Sequence, residues 1–304
     1  MATIKRGRGG KLILRGHKGM ARDVAISPDG LWIASTDAKG QLRWGPLWQS
    51  APEQLFRAHG TAAMACAWLS DHRIASASLT ELRVFKRKTG KLLFELPYTR
   101  RFAPTDLRCS PCGRWLAVSG QEGQLVVWDL PARSSQRFKV GGAQQIAFMS
   151  DQTLLVSKGR GALTALDPAT RAERWRLEVQ GFVQAITVSP DGALMALGIW
   201  DPDGVGYQVG VYTLPGRERV GTADGHTSMT TALAFSSDSE LLVIGAMSNY
   251  TRLLRWRSGE DISSSIPGLP VSWGIALSPD DATLATIESA TKNVRLWDLE
   301  RFLA

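Results

Sequence analysis

The sequence predicts an all-β protein, seven copies of one short unit closed into a ring, the architecture of a β-propeller. Three observations predict it. A six-residue motif recurs along the chain, its copies stand a near-constant step apart, and the residues before each copy alternate in size with a period of two.

The motif is clearest at Ala25-Ile26-Ser27-Pro28-Asp29-Gly30, Thr187-Val188-Ser189-Pro190-Asp191-Gly192 and Ala276-Leu277-Ser278-Pro279-Asp280-Asp281. Weaker copies begin at Arg108 and Ala234, anchored on Ser110 and Ser236. Two more emerge when Leu69 and Met149 stand at the serine position. The anchors are then 27, 69, 110, 149, 189, 236 and 278, with steps of 42, 41, 39, 40, 47 and 42. A period of about 40–45 residues suits one four-stranded antiparallel blade.

The strand before each anchor carries large apolar residues one and three places ahead, such as Ile26 and Val24 or Phe148 and Ile146. Between them stand small ones, such as Ala25, Ala67, Ala147 and Ala276. Alternation of this kind marks a strand with two different faces. Stacked sheets need it, because a large side chain from one requires a shallow surface on the next. A second apolar strand follows each anchor turn, as in Leu31-Trp32-Ile33-Ala34, and then a third.

The third strands Val126-Val127-Trp128-Asp129 and Arg295-Leu296-Trp297-Asp298 resemble the Trp-Asp signature of the WD40-repeat family. Gly16-His17 and Gly225-His226, with His59 at the same offset, resemble its Gly-His signature. The resemblance spans Lys11 to Asp298 and implies a seven-bladed β-propeller. It also implies that a strand at about residues 11–14 completes the last blade, closing the ring. The expected organisation is a basic N-terminal tail, 1–10, and a single propeller, 11–304. The family's buried His, Ser/Thr, Asp and Trp set is complete in no blade. In the first, Trp44-Gly45 is shifted one place from the usual Trp-Asp. Apolar packing between blades is therefore expected to carry the fold.

The chain has 304 residues, a net charge of +8 and three cysteines. Few cysteines in odd number argue against a disulfide framework and fit a reducing cytoplasm. No apolar run is long enough for a bilayer, and the basic N-terminus lacks the apolar segment of a secretory signal. Cytoplasmic localisation without a membrane partner is expected.

Catalytic signatures are absent: there is no GxSxG, HExxH or Walker loop, so no enzymatic activity and no cofactor is expected. Cys109-Ser110-Pro111-Cys112 has a metal-binding spacing. However, Cys109 and Cys66 fall in core columns and Cys112 replaces the turn aspartate, so no metal is assigned. Trp200-Asp201-Pro202-Asp203-Gly204 reads as a long loop offering Trp200 as a contact. Lys and Arg cluster on the outer segments, from Lys86, Arg87 and Lys88 through Arg171, Arg174, Arg217 and Arg219 to Arg255 and Arg257. They read as edge protection against aggregation or as a nucleic-acid rim.

In WD40 proteins partner peptides dock where the loops lead into the innermost strands. The residue five places before each anchor then lines the channel mouth: Arg22, Met64, Thr105, Gln144, Gln184, Thr231 and Trp273. Tyr250, Phe182, Arg100 and Arg101 stand nearby. This mixed column, with the Arg22–Trp273 pair at its centre, points to a scaffold or adaptor that binds a protein partner within a larger complex. A nucleic-acid-associated propeller and a metal-assisted or catalytic one are the alternatives.

Overall fold

Each unit begins with a hairpin closed by its own side chains. Ser27 Oγ donates to Asp29 Oδ1 (2.5 Å) and accepts the Trp32 N–H (2.9 Å). Ser189/Asp191, Ser236/Asp238 and Ser278/Asp280 repeat the arrangement. The next turn position is left-handed, filled by Gly30, Gly113 and Gly192 but also by Ser239 and Asp281. Glycine suits it because a Cβ is strained there. Where Leu69 and Met149 replace the anchor serine, the strand runs on to Ser70 and Ser150 through an irregular register. The two copies without an anchor serine thus close by a tighter turn.

The computed structural model describes residues 11–49, 52–97, 102–121, 123–141, 145–204, 206–226, 228–247, 250–288 and 292–303. The basic tail 1–10, Arg100, Arg101, Glu122 and Gln144 lie outside them. All sheets are antiparallel. Blade 1 comprises Ala21–Ile26, Trp32–Asp37, Gln41–Pro46 and Gln54–Arg57; blade 2 runs from Ala63–Ser70 to Leu92–Pro97; blade 3 from Pro104–Cys109 to Ser134–Lys139. Blade 6 runs from Thr230–Phe235 to Glu260–Asp261.

Blades 4 and 5 depart from the expectation of seven separate sheets. Five sheets have four strands and one has seven, because Glu173–Val188 is continuous. Its first half pairs with Arg160–Leu166 as the outer strand of blade 4. Its second half pairs with Leu194–Asp201 as the inner strand of blade 5. The bend is at Gly181 (φ +99°), where a Cβ would meet the Trp200 carbonyl oxygen.

In blade 7, Lys11–Leu14 pairs with Val294–Asp298, Lys11 opposite Trp297 and Leu14 opposite Val294, outside Thr283–Glu288 and Ser272–Leu277. The expected closure by the N-terminal strand holds. Each innermost strand touches the next, and Ser272–Leu277 returns to Ala21–Ile26. A short helix not foreseen from the sequence, Leu299–Leu303, ends the description, with Leu299 buried between blades 6 and 7.

Seven apolar clusters fill the seven gaps between blades. The size alternation explains them. Val24 and Ile26 face blade 7, while Ala25 faces blade 2. Ala65 and Ala67 of blade 2 receive Leu107 of blade 3. Tryptophans add polar stitches: Trp44 Nε1 donates to the Arg87 carbonyl of blade 2, Trp68 Nε1 to Ala25 of blade 1, and Trp48 Nε1 to Thr283 of blade 7. A buried indole needs such a partner. Among the described residues no helix is long and apolar enough to cross a membrane.

Candidate functional site: the channel mouth

The innermost strands share an irregularity that the period-two reading does not show. In six blades the ladder skips one residue near the start of the strand. Ala21 pairs with Asp37 and Asp23 with Thr36, leaving Arg22 unpaired. Met64, Thr105, Gln184, Thr231 and Trp273 are skipped in the same way. A β-bulge re-aims the extra side chain. The position five before each anchor is therefore a bulge position, and Gln144 is its counterpart outside the described residues.

Arg22, Met64, Thr105, Thr231 and Trp273 line one cavity of about 120 Å³, with Asp23, Asp106, Arg108 and Gln145 deeper on the same strands. Gln184 belongs to the same ring of bulges but does not line that cavity. Two of these side chains are engaged: Thr231 Oγ1 donates to the Ser272 carbonyl (2.7 Å), and Thr105 and Ser119 share a hydroxyl bond. Arg22 Nε and Gln184 Oε1 are buried with no hydrogen-bond partner among the described residues. Trp273 is 44% exposed.

The acids beneath are structural. Asp23 accepts the Val24 N–H and, across the blade boundary, the Cys66 N–H, both at 2.9 Å. Asp106 accepts the Leu107 N–H and the Ile146 N–H of blade 4, and pairs with Arg108 (3.1 Å). Burial pushes the Asp23 carboxyl up to about 6, against the pull of Arg108, and raises Asp106 also.

Comparison with known proteins agrees with this geometry. The family model described as WD domain, G-beta repeat matches residues 10–44, 93–129 and 217–253. The chain carries WD40 repeats in a β-propeller arrangement. A model described as outer membrane protein assembly factor BamB matches residues 115–209. An uncharacterised WD repeat-containing protein of Synechocystis sp. is 26% identical over 119 residues, 39% of this chain and 32% of the relative, so the match spans about a third of the relative's length.

The WD40 ring keeps two partial versions of the family's buried network. His17 shares a hydrogen bond with Ser35 (2.7 Å) and faces Asp37 (3.6 Å). His59 bonds Ser76 (2.7 Å) and Glu81 (2.8 Å). Asp37 and Glu81 were not singled out in the sequence. Trp44 lies opposite Ala34, one place out of register with Trp297, and turns into the gap with blade 2. Trp297 Nε1 donates to Thr286 Oγ1 (3.0 Å).

Other sequence candidates lie apart from the mouth. Trp200 is not on a loop: it belongs to the strand Leu194–Asp201 and stacks, half-buried, between Phe182 (5.3 Å) and Tyr207 (6.3 Å). Blade 5's hairpin continues two residues further than most, which the Pro-Asp-Gly turn signal concealed. Asp203 pairs with Arg160. Tyr250 is exposed and lines a separate groove of about 260 Å³ with Ser263, Ile266 and Leu269. Cys66 is buried, Cys109 packs on the gap between blades 2 and 3, and Cys112 is exposed on the turn. Burial pushes the Cys109 thiol up to about 12. Among the described residues no three His, Cys, Asp or Glu side chains form a metal-holding group.

Many outer cations are already engaged. Arg87 pairs with Glu53, Arg174 with Asp167, Arg176 with Glu178, Arg255 with Glu260 and Arg257 with Glu240. Others clamp the preceding blade: Arg87 lies over Trp32 (3.8 Å), Arg171 over Phe138 (5.7 Å) and Arg217 over Trp175 (5.3 Å).

Proposed function

We propose that this WD40 propeller is a non-enzymatic cytoplasmic scaffold that holds a protein partner at the channel mouth, as part of a larger complex. WD40 propellers typically serve as protein-interaction scaffolds. The observation that carries the reading is the ring of bulges at Arg22, Met64, Thr105, Gln184, Thr231 and Trp273, of which all but Gln184 line one cavity. Supporting it, Met20 precedes the innermost strand of blade 1, and Leu79 and Met247 stand between the second and third strands of blades 2 and 6, all three exposed. Apolar groups concentrated around a concave centre favour protein contact. The engaged outer cations favour the edge-protecting, blade-clamping role over a nucleic-acid rim.

Affinity capture from the native cell with quantified partner binding tests this. Trp273→Ala should weaken binding about 30-fold, the scale of a hot-spot truncation of about 2 kcal/mol. Leu31→Ala, on the opposite face, should leave it unchanged, and neither should alter the melting temperature by more than a degree or two. Unchanged affinity in Trp273→Ala sinks the assignment. A steep loss of binding with salt, together with nucleic acid in the captured material, would transfer the function to the rim.

A further inference from the structure

We infer that the mouth recognises a carboxylate side chain, an aspartate or glutamate offered by a protein partner, and seats it on the Arg22 guanidinium beside the Trp273 ring. This rests on the reading of the mouth as the docking place.

The inventory of charge decides the sign of the guest. Among the described residues four ionisable ones line the cavity: Arg22, Asp23, Asp106 and Arg108. Arg108 is paired with Asp106. Both aspartates hold backbone N–H groups that tie blade 1 to blade 2 and blade 3 to blade 4. A cationic guest would have to compete with Arg108 and with those interblade bonds for the same oxygens. Arg22 is different. It makes no hydrogen bond or ion pair with any described residue, and its Nε is out of reach of solvent. Arg22 lines the cavity, and a guanidinium there that is not already held by a carboxylate is the group most ready to take one. A carboxylate matches the guanidinium fork with two parallel bonds.

Size and walls narrow the class. About 120 Å³ admits the head of one side chain and excludes a folded segment. Trp273 and Met64 offer apolar surface to the methylenes behind a carboxylate. A phosphate dianion would bring a second negative charge toward Asp23 and Asp106, so the singly charged carboxylate is the better guest. The net charge of +8 draws an acidic partner toward the ring before contact.

The test is selection of random linear peptides displayed against the intact chain, with counter-selection on Trp273→Ala so that mouth binders are recovered. The peptides should share an Asp or Glu. Changing it to Gln should weaken binding to the wild type at least 10-fold and have little effect on Arg22→Gln, while Arg22→Lys should retain part of the preference. Thermal melts of each variant confirm that the ring is intact. Peptides that depend on Trp273 but contain no needed acid, or that lose equally on Arg22→Gln, overturn the carboxylate and leave the docking place standing. A need for the peptide's free C-terminal carboxylate instead of a side chain overturns the assigned source. Recovery of no Trp273-dependent peptide overturns the docking place and this inference together.

Discussion

Asp23 shows how a single side chain couples stability to the mouth. Burial raises its carboxyl to about 6, so ionising it costs more in the folded ring than in the unfolded chain. The penalty is present in full above that value and is relieved as the pH falls toward the ordinary aspartate range. Asp106 acts in the same direction. Asp37 behaves oppositely. Burial alone would raise it, but the nearby His17 ring (3.6 Å) and N–H bonds from Gly19, Gln41 and Lys39 outweigh burial and hold it well below the usual range. Its stabilisation is present above the ordinary value and is lost as the pH falls below it. Asp23 and Asp106 should therefore add a rise in stability from pH 7 to about 5, opposed in that window by His59, whose burial holds it below its ordinary value, and stability should fall in stronger acid. Asp23→Asn should flatten the rise by an amount on the order of 2 kcal/mol, while its carbonyl keeps the Cys66 bond. Denaturant midpoints measured against pH check this, and an unchanged slope contradicts it. At this scale a constant offset from the anchors picked out five residues that line one cavity, Arg22, Met64, Thr105, Thr231 and Trp273, and a sixth, Gln184, that does not. It did not show that these six are bulged. An inserted residue leaves no mark on composition, and its signature is a skipped partner on another strand.

The blades explain a feature that looked functional in the sequence and the use of the tryptophans. The tryptophans lie largely in the gaps between sheets, and Trp44, Trp48 and Trp68 donate their indole N–H to a neighbouring blade. The basic belt is in good part a set of clamps. Arg171 and Arg217 occupy left-handed turn positions (φ 69° and 63°), from which each reaches an aromatic ring of the preceding blade. Arg217→Ala should remove one clamp, at a cost of about 0.5–1 kcal/mol, seen as a small drop in thermal midpoint without change in partner affinity. A drop in affinity at constant stability would return the belt to a binding role. The continuous strand Glu173–Val188 was hidden for a related reason. Repeat spacing locates units, but whether the link between two of them breaks or keeps its ladder depends on pairing on both sides.

The whole ring depends on a four-residue strand far from its partner in sequence. Lys11–Leu14 covers the edge of Val294–Asp298, and Leu14 is fully buried between blades 7 and 1. Lys11 adds a bond to the Pro267 carbonyl and lies over the Trp297 ring (4.6 Å). Deleting residues 1–15 should expose that edge and empty part of a core cluster, so the truncated chain should aggregate or melt well below the intact one. Size-exclusion chromatography and a thermal melt decide it, and a retained midpoint would mean that closure contributes little. By itself the sequence determined the repeat, the all-β class and the alternation of large and small faces, and its resemblance to the WD40 family implied the closing strand. The first three are local periods or fixed offsets, which a linear chain records. The tertiary structure alone decided the shared seven-stranded sheet, the bulges at the mouth, the interblade bonds of Asp23 and Asp106 and the place of Arg22, whose Nε has no partner among the described residues. Each of these depends on which groups meet across blades some 40 residues apart once the ring has closed.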